Sequence, residues 1–368
     1  MEKQPIMDHS LLYLSSYNEL KDSGVGRKIA GFCLTANQEG FNAVAYNYYC
    51  RRKSEWKELV SKIEEFEGKY IVIRSMGALN LHFIHAFLKA RRRGKVLILD
   101  QPTPMKSQIR EILESETSFF KKLYRIIRLY INGPWGQLPF NRIIQYGNES
   151  AYFLFLNRKR TILLGNGIEE NRVPLRQNKY GTIKDHINLI AVASSIVSWH
   201  GFDRIVRAMN VWNSNNKNLP IRFEIIGNDN TEEADRIKTY AKECGLEHDV
   251  VFSGYKDTKY IHERFAQSHL AVGSLGLFRK KLSISSILKI REYCLAGIPF
   301  IASGSDPDFP ESVPFRFEVS NDDNIADILN VFRNYPEIRE NYSDEEIRNY
   351  AIQHLSLKSK FHTIIGGL

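Results

Sequence analysis

Lys289-Ile290-Arg291-Glu292-Tyr293-Cys294-Leu295-Ala296-Gly297-Ile298-Pro299 reads as a helix that stops at a glycine and leads into a strand opened by a proline. Lys289 and Glu292 stand at i and i+3, so an ammonium and a carboxylate share one helical face. An ammonium suits phosphate, and a carboxylate can accept from both hydroxyls of a ribose diol. The same spacing also describes an ordinary salt bridge with a routine glycine cap, and spacing alone favours that description. The preceding segment shifts the balance. Gly276-Leu277-Phe278-Arg279-Lys280-Lys281 carries three consecutive cations after a strand, a loop suited to a pyrophosphate and to a departing nucleoside diphosphate. Basic groups on both sides of one carboxylate point to a nucleotide.

Working outward, short apolar runs alternate with segments of helical period, the pattern of parallel α/β units. Strands are expected at Ser10–Leu14, Phe41–Tyr46, Tyr70–Ile73, Lys95–Leu99 and Arg142–Ile144. A second series is expected at Leu189–Ala193, Arg222–Ile226, Val250–Phe252, Leu270–Val272 and Phe300–Ala302. Helices are expected between them, including Arg27–Leu34, Leu79–Arg92, Gly201–Asn213, Glu232–Cys244, Tyr260–Gln267 and Leu288–Leu295. Two consecutive series of this kind form two Rossmann-like domains facing a cleft. The expected division is 1–168, an acceptor-side domain, and 169–343, a nucleotide-sugar domain, with a polar linker at Glu169–Gly181. The segment 344–368 reads as a C-terminal helix that packs back on the first domain.

Three features of the first half border such a cleft. Gly24 and Gly26, in Lys21-Asp22-Ser23-Gly24-Val25-Gly26-Arg27-Lys28, lead into a helix whose free N–H groups suit an anion. A plain tight turn explains them equally well. Asp100, in Leu99-Asp100-Gln101-Pro102-Thr103-Pro104, follows a strand and is placed to orient an acceptor hydroxyl, although a carboxylate capping a proline-fixed turn has the same pattern. In Ser118–Ile131, Lys121, Lys122, Arg125 and Arg128 group on one helical face, and Phe120, Leu123, Ile127 and Ile131 on another. That is a basic amphipathic helix fit for an anionic membrane surface; a core helix with a solvated basic face is the plainer reading.

The bulk composition bounds the rest. The chain has 368 residues and a formal charge of +9, with 43% hydrophobic and 25% charged residues, a globular composition with an affinity for anions. The four cysteines are scattered, which fits a reducing compartment. The first twenty residues lack a signal-peptide pattern, and no long apolar stretch spans a membrane, so a cytoplasmic location is expected. P-loop, zinc-protease and serine-hydrolase motifs are absent from the sequence. Asp306-Pro307-Asp308 spells a D-x-D pattern that chance also produces. Nucleic-acid binding has only the charge in its favour, because aromatics are not interleaved with the basic runs.

With these pieces in place, the second half resembles the nucleotide-binding domain of retaining GT-B glycosyltransferases of the family-four type (glycosyl transferases group 1). The likeness rests on Asn166-Gly167-Ile168, Trp199-His200-Gly201-Phe202-Asp203-Arg204, Ile225-Ile226-Gly227, Phe252-Ser253-Gly254-Tyr255 and Lys289 to Pro299. Asp100-Gln101-Pro102-Thr103-Pro104 looks like an element of surface-polysaccharide members. The resemblance implies a metal-independent hexosyltransferase with no cofactor beyond its nucleotide-sugar substrate, acting on a glycan or lipid-linked acceptor at the inner membrane face. It implies catalytic roles for Asp100 and Glu292. Donor contacts are implied for Gly24, Gly26, His200, Gly254, Arg279, Lys280, Lys289 and Glu292. Two departures stand out. The family's second glutamate, eight positions before Glu292, is Ile284 here, with Ser283, Ser285 and Ser286 beside it. The usual Arg and Lys of a phosphate-binding element are Ser195 and His200. A catalytically silent nucleotide-binding subunit is therefore the alternative, with an RNA-binding protein further behind.

Overall fold

The structure is a computed structural model that describes residues 7–17, 23–48, 53–74, 81–101, 105–115, 117–147, 158–176, 185–216, 219–310 and 313–366. Lys21, Asp22 and Pro102-Thr103-Pro104 of the motifs above lie outside them. The chain forms two compact units, Met1–Gly165 with Leu357–Leu368, and Asn166–Ser356.

The first unit runs β1 (Met7–Ser15), α1 (Ser23–Gln38), β2 (Asn42–Asn47), α2 (Lys53–Glu65), β3 (Gly68–Arg74), α3 (Leu81–Arg92), β4 (Val96–Gln101), α4 (Met105–Glu114), α5 (Phe119–Gln137), β5 (Arg142–Gln145) and β6 (Thr161–Leu163). Its strands pair in parallel in the order β2-β1-β3-β4-β5-β6. The centre of that sheet is buried on both faces, which is why β3 and β4 read as continuous apolar runs rather than alternating ones. Each central strand ends on a buried polar residue: Ser15, Arg74, Gln101 and Gln145. The carboxyl edge of the sheet is thus polar inside an apolar body.

The second unit runs β7 (Ile187–Ser195), α6 (Phe202–Asn215), β8 (Ile221–Asn228), α7 (Glu232–Glu243), β9 (Val250–Gly254), α8 (Thr258–Ala266), β10 (Leu270–Val272), α9 (Leu288–Ala296), β11 (Phe300–Ser303), β12 (Arg316–Val319), α10 (Ala326–Ile338) and α11 (Asp344–Tyr350). The order β12-β11-β10-β7-β8-β9, again parallel, reverses direction at β7. Every expected strand is present. The helices α2, α4 and α10 and the strands β6 and β12 were not anticipated; β6 and β12 have only three and four residues, too few for a period to show. The expected single helix near the C-terminus divides instead. The first part, α11, is tied into the second unit by Arg176, whose Nε and Nη2 each donate to Asp344 at 2.6 Å. After a π turn at Ala351–Leu355 comes α12 (Leu357–Ile365), which returns to the first unit. There Phe361 sits edge-on between Phe32 and Phe41.

Arg291 in the middle of α9 is wholly buried, and it organises the loops around that helix. Its guanidinium meets both oxygens of Asp306, reaches Asp308 Oδ2 at 2.7 Å, and donates to the Asn166 carbonyl at 3.1 Å and the Ile287 carbonyl at 3.2 Å. The D-x-D pair is therefore a buried counter-ion set for Arg291. Removing the cation would strand two carboxylates inside the protein. Arg291→Ala is expected to cost about 3–5 kcal/mol, read from urea unfolding, and Arg291→Lys should recover little because one ammonium cannot bridge both aspartates. An Arg291→Ala protein as stable as the parent would contradict this assignment.

Candidate functional site

Glu292 follows Arg291, so the inward pull on Arg291 turns Glu292 to a different side of α9. Gly297 ends the helix in the left-handed conformation, φ +78°, where an added Cβ would lie 2.7 Å from the Asp344 side chain. The Glu292 carboxylate is nearly buried. Oε1 accepts from Arg172 Nε at 3.0 Å and Oε2 from Lys289 Nζ at 2.8 Å. His262 on α8 lies in the same group: burial lowers its pKa, partly countered by Glu292. Each carboxylate oxygen keeps a second acceptor position, so the pair of oxygens can still take two hydroxyl donors. The sequence identified Lys289 and Glu292 as neighbours. Arg172 and His262 were missed, since they come from other segments of the unit and no spacing links them to α9.

A second group forms where two glycine-containing turns interlock. Gly201 (φ +66°) lies so close to the Leu275–Gly276 backbone that a Cβ would come within 2.6 Å of the Gly276 nitrogen. A Cβ on Gly276 would in turn meet the Ser198 carbonyl at 2.8 Å. This contact brings Trp199 and His200 beside Arg279 and Lys280, the two segments that the resemblance assigns to one donor site. Their roles differ from expectation. Arg279 faces inward: its guanidinium bridges both oxygens of Asp203 at 2.8 Å and reaches Asp323 at 3.0 Å. Those bonds to Asp203 raise its pKa, with further contributions from Asp323. Its charge is spent on the protein, so it is not the free pyrophosphate clamp the cationic run suggested. Lys280 is exposed, with Nζ 4.8 Å from the centre of the Trp199 ring.

His200 is likewise not a cation at neutral pH. Burial, with Lys280 nearby, lowers its pKa to about 4. Nδ1 accepts from the Val197 N–H at 3.3 Å, which puts the proton on Nε2. In the ligand-free protein His200 thus offers a phosphate a neutral Nε2–H donor. Ser286, one of the hydroxyls near Ile284, is occupied: Oγ accepts from the Asn166 N–H at 2.6 Å. Ile284 itself forms a bridge with Ser305. Gly254 ends β9 at φ +68° in open surroundings, with Asp229 Oδ1 3.9 Å from where a Cβ would stand. Beside Arg279, a groove of about 930 Å³ opens between α6 and α7, lined by Asp203, Arg207, Glu233, Arg236 and Asp323 among others. Its cations and carboxylates largely pair with each other.

In the first unit, Asp100 is buried at the carboxyl end of β4. Tyr13 donates to Oδ2 at 2.6 Å and Arg74 Nη1 donates to the same oxygen at 2.7 Å. Burial opposes its ionisation, but Arg74 and Lys28, with the Tyr13 hydrogen bond, outweigh it and hold the carboxyl below its usual range. Asp100 is a neutralised, buried anchor, not an open carboxylate awaiting a hydroxyl. Gly24 and Gly26 fall within the first turns of α1, and the space beside Gly26 is taken by the Tyr17 ring. Lys28 donates to the Tyr146 hydroxyl at 2.9 Å. On α5, Lys121, Arg125 and Arg128 are exposed, whereas Lys122 Nζ donates to the Leu113 carbonyl at 2.6 Å at the end of α4.

Residues 176–344 match the family model for glycosyl transferases group 1, and this stretch lies within the second unit. Among solved structures, a glycosyltransferase from Rickettsia africae superposes with a TM-score of 0.62 at 12% identity, covering 98% of this chain and 100% of that one. The lipopolysaccharide outer core galactosyltransferase WaaB gives 0.61 at 11% identity, with 98% and 100% covered. HepE from Anabaena, in complex with UDP, gives 0.60 at 14% identity, again with 98% and 100% covered. At such identities the likeness is one of fold, and the fold is GT-B. The chain thus has the GT-B fold, and the match to the group 1 model falls on residues 176–344 of it. No curated protein matches it by sequence.

His200 and His269 both have a pKa of about 4 in the folded state, against 6.5 for the ordinary group, chiefly through burial. Between those values the unfolded chain binds more protons at these sites, so their contribution to stability rises with pH through that window and is complete above it. Urea midpoints are expected to fall between about pH 7 and about pH 5, and His200→Gln should reduce that fall. An unchanged fall would remove His200 from the buried neutral set.

Proposed function

We propose that the protein transfers a hexose-type sugar from a nucleotide sugar to a glycan or lipid-linked acceptor with retention, within surface-polysaccharide synthesis. The observation that carries this reading is Glu292, fixed by its neighbour Arg291 and flanked by Arg172 and Lys289 in the group 1 domain. Glu292 accepts the ribose hydroxyls; Lys289 and exposed Lys280 supply positive charge for the diphosphate. In the transfer, the bond from the sugar's anomeric carbon to the β-phosphate oxygen breaks and the bond to the acceptor oxygen forms. The acceptor's hydroxyl proton passes to the departing diphosphate on the same face. The proposed turnover needs no metal, and Asp306 and Asp308 are already neutralised by Arg291. The Anabaena neighbour is solved with UDP and with UDP-glucose, which supports a nucleotide-sugar donor. The acceptor is met at the inner membrane face, with the protein held there peripherally.

A second reading is a nucleotide-binding subunit without turnover. Ile284 in place of a glutamate, the neutral His200 and the spent charge of Arg279 favour it. A screen of nucleotide sugars with glycan and lipid acceptors, read by nucleoside-diphosphate release, separates the two. Transfer predicts release with at least one donor, and a loss of diphosphate affinity of about 10- to 100-fold in Glu292→Gln. Binding without release supports the silent subunit, and absence of binding contradicts both.

A further inference from the structure

The helix α5 carries a surface that the sugar-transfer reading does not use. At about 100° per residue, its side chains fall into three sectors. Ile126, Leu129 and Lys122 occupy an arc of about 60°; Leu129 is buried, and Lys122 is bound to α4. This is the side by which α5 packs on the unit. A second arc of about 140° is apolar yet exposed. It holds Phe119, Phe120, Leu123, Ile127 and Ile131, with Tyr124 and Tyr130 among them. Phe119 is 72% exposed and Phe120 81%, values far from those of core residues. The third arc, about 60° wide, holds Arg128, Lys121 and Arg125, all exposed. The helix contains no acidic residue over its 19 positions.

The apolar face anticipated from the sequence is therefore not the core-facing side. Seven large apolar side chains stand in solvent along a helix about 28 Å long, beyond what a soluble surface exposes without a partner. Three cations border the patch along one side, with no carboxylate on the helix to offset them. Protein interfaces also enrich Arg, Tyr and Phe, so the sign of the border, not its composition, selects the partner. An apolar stripe of Phe, Leu and Ile with interspersed Tyr, on a helix whose only charges are cations, matches an anionic bilayer surface in both polarity and charge.

We propose that α5 lies in the interface of an anionic lipid bilayer, with Phe120, Leu123, Ile127 and Ile131 in the acyl boundary and Lys121, Arg125 and Arg128 on the headgroups. This deepens the peripheral location of the proposed enzyme, but it rests on the surface of α5 and not on the donor site.

The test is sedimentation of the full chain with phosphatidylcholine vesicles, with and without phosphatidylglycerol. Binding is expected only with the anionic lipid. A K121Q/R125Q/R128Q variant should lose roughly fivefold per cation, about 100-fold in all, from about 1 kcal/mol for each. A L123E/I127E variant should lose the binding that persists at high salt. All five positions are exposed, so both variants should keep the parent's melting temperature and its diphosphate affinity. Failure of the parent to bind anionic vesicles, or undiminished binding by L123E/I127E, overturns the proposal. So does a dimer in solution that L123E/I127E dissolves while the parent ignores vesicles, since the stripe would then be a protein interface. Loss of diphosphate affinity in the parent would damage the catalytic reading and leave vesicle binding untouched.

Discussion

The buried guanidinium of Arg291 is the constraint on which the second unit's candidate site depends. A planar fork with five donors can satisfy two carboxylates and two carbonyls at once. Here it draws Asp306, Asp308, Asn166 and Ile287 onto one helix. Such an arrangement is not itself strong evidence of net stability, because desolvation offsets much of the attraction. Its effect is orientation. With Arg291 locked inward, α9 cannot rotate, and the next residue must present its carboxylate to Arg172, Lys289 and the α8 side. The segment that starts the second unit at Asn166 is also held to the loop before that helix, through Ser286. The helix, the loop after β11 and the opening of the unit are thus one rigid assembly around a single side chain.

Polar groups elsewhere follow a similar economy. Arg204, also wholly buried, donates to the Leu275 carbonyl at 2.6 Å and the Ser320 carbonyl at 3.1 Å, pinning the loop that carries Gly276. Arg279 then couples α6 to the turn after β12 through Asp203 and Asp323. In the first unit, Arg74 and Asp100 close the carboxyl edge of the sheet between β3 and β4. Several of the residues that looked like ligand-seeking charges in sequence are thus internal fasteners. Lys280 near Trp199 and the row on α5 are among the cations that stay in solvent.

The layered α/β architecture was legible because parallel strands buried on both faces leave continuous apolar runs, and such runs delimit β3, β4 and β8 plainly. Glu292 and Lys289 were legible because one helix turn joins them. Arg172 and His262 were not, since each reaches Glu292 from a different segment. Charge sign was visible in Arg279-Lys280-Lys281, but direction was not: a 3₁₀ turn sends the first inward and the other two out. Arg74 had left a trace, as a single charge closing the apolar run Tyr70-Ile71-Val72-Ile73 at a strand's carboxyl end. The apolar side of α5 was legible as a stripe, while its exposure depended on where α3 and α4 pack, which no periodicity encodes.

The central claim is that Glu292, aimed by Arg291, is the acceptor for a nucleotide's ribose hydroxyls. The most direct measurement is a double-mutant cycle on binding: ribonucleoside and 2′-deoxyribonucleoside diphosphates titrated against the parent and Glu292→Gln. The account predicts that the parent prefers the ribonucleotide and that Glu292→Gln loses most of this preference, so the two changes are strongly non-additive. Additive losses, or a parent indifferent to the 2′-hydroxyl, would contradict it.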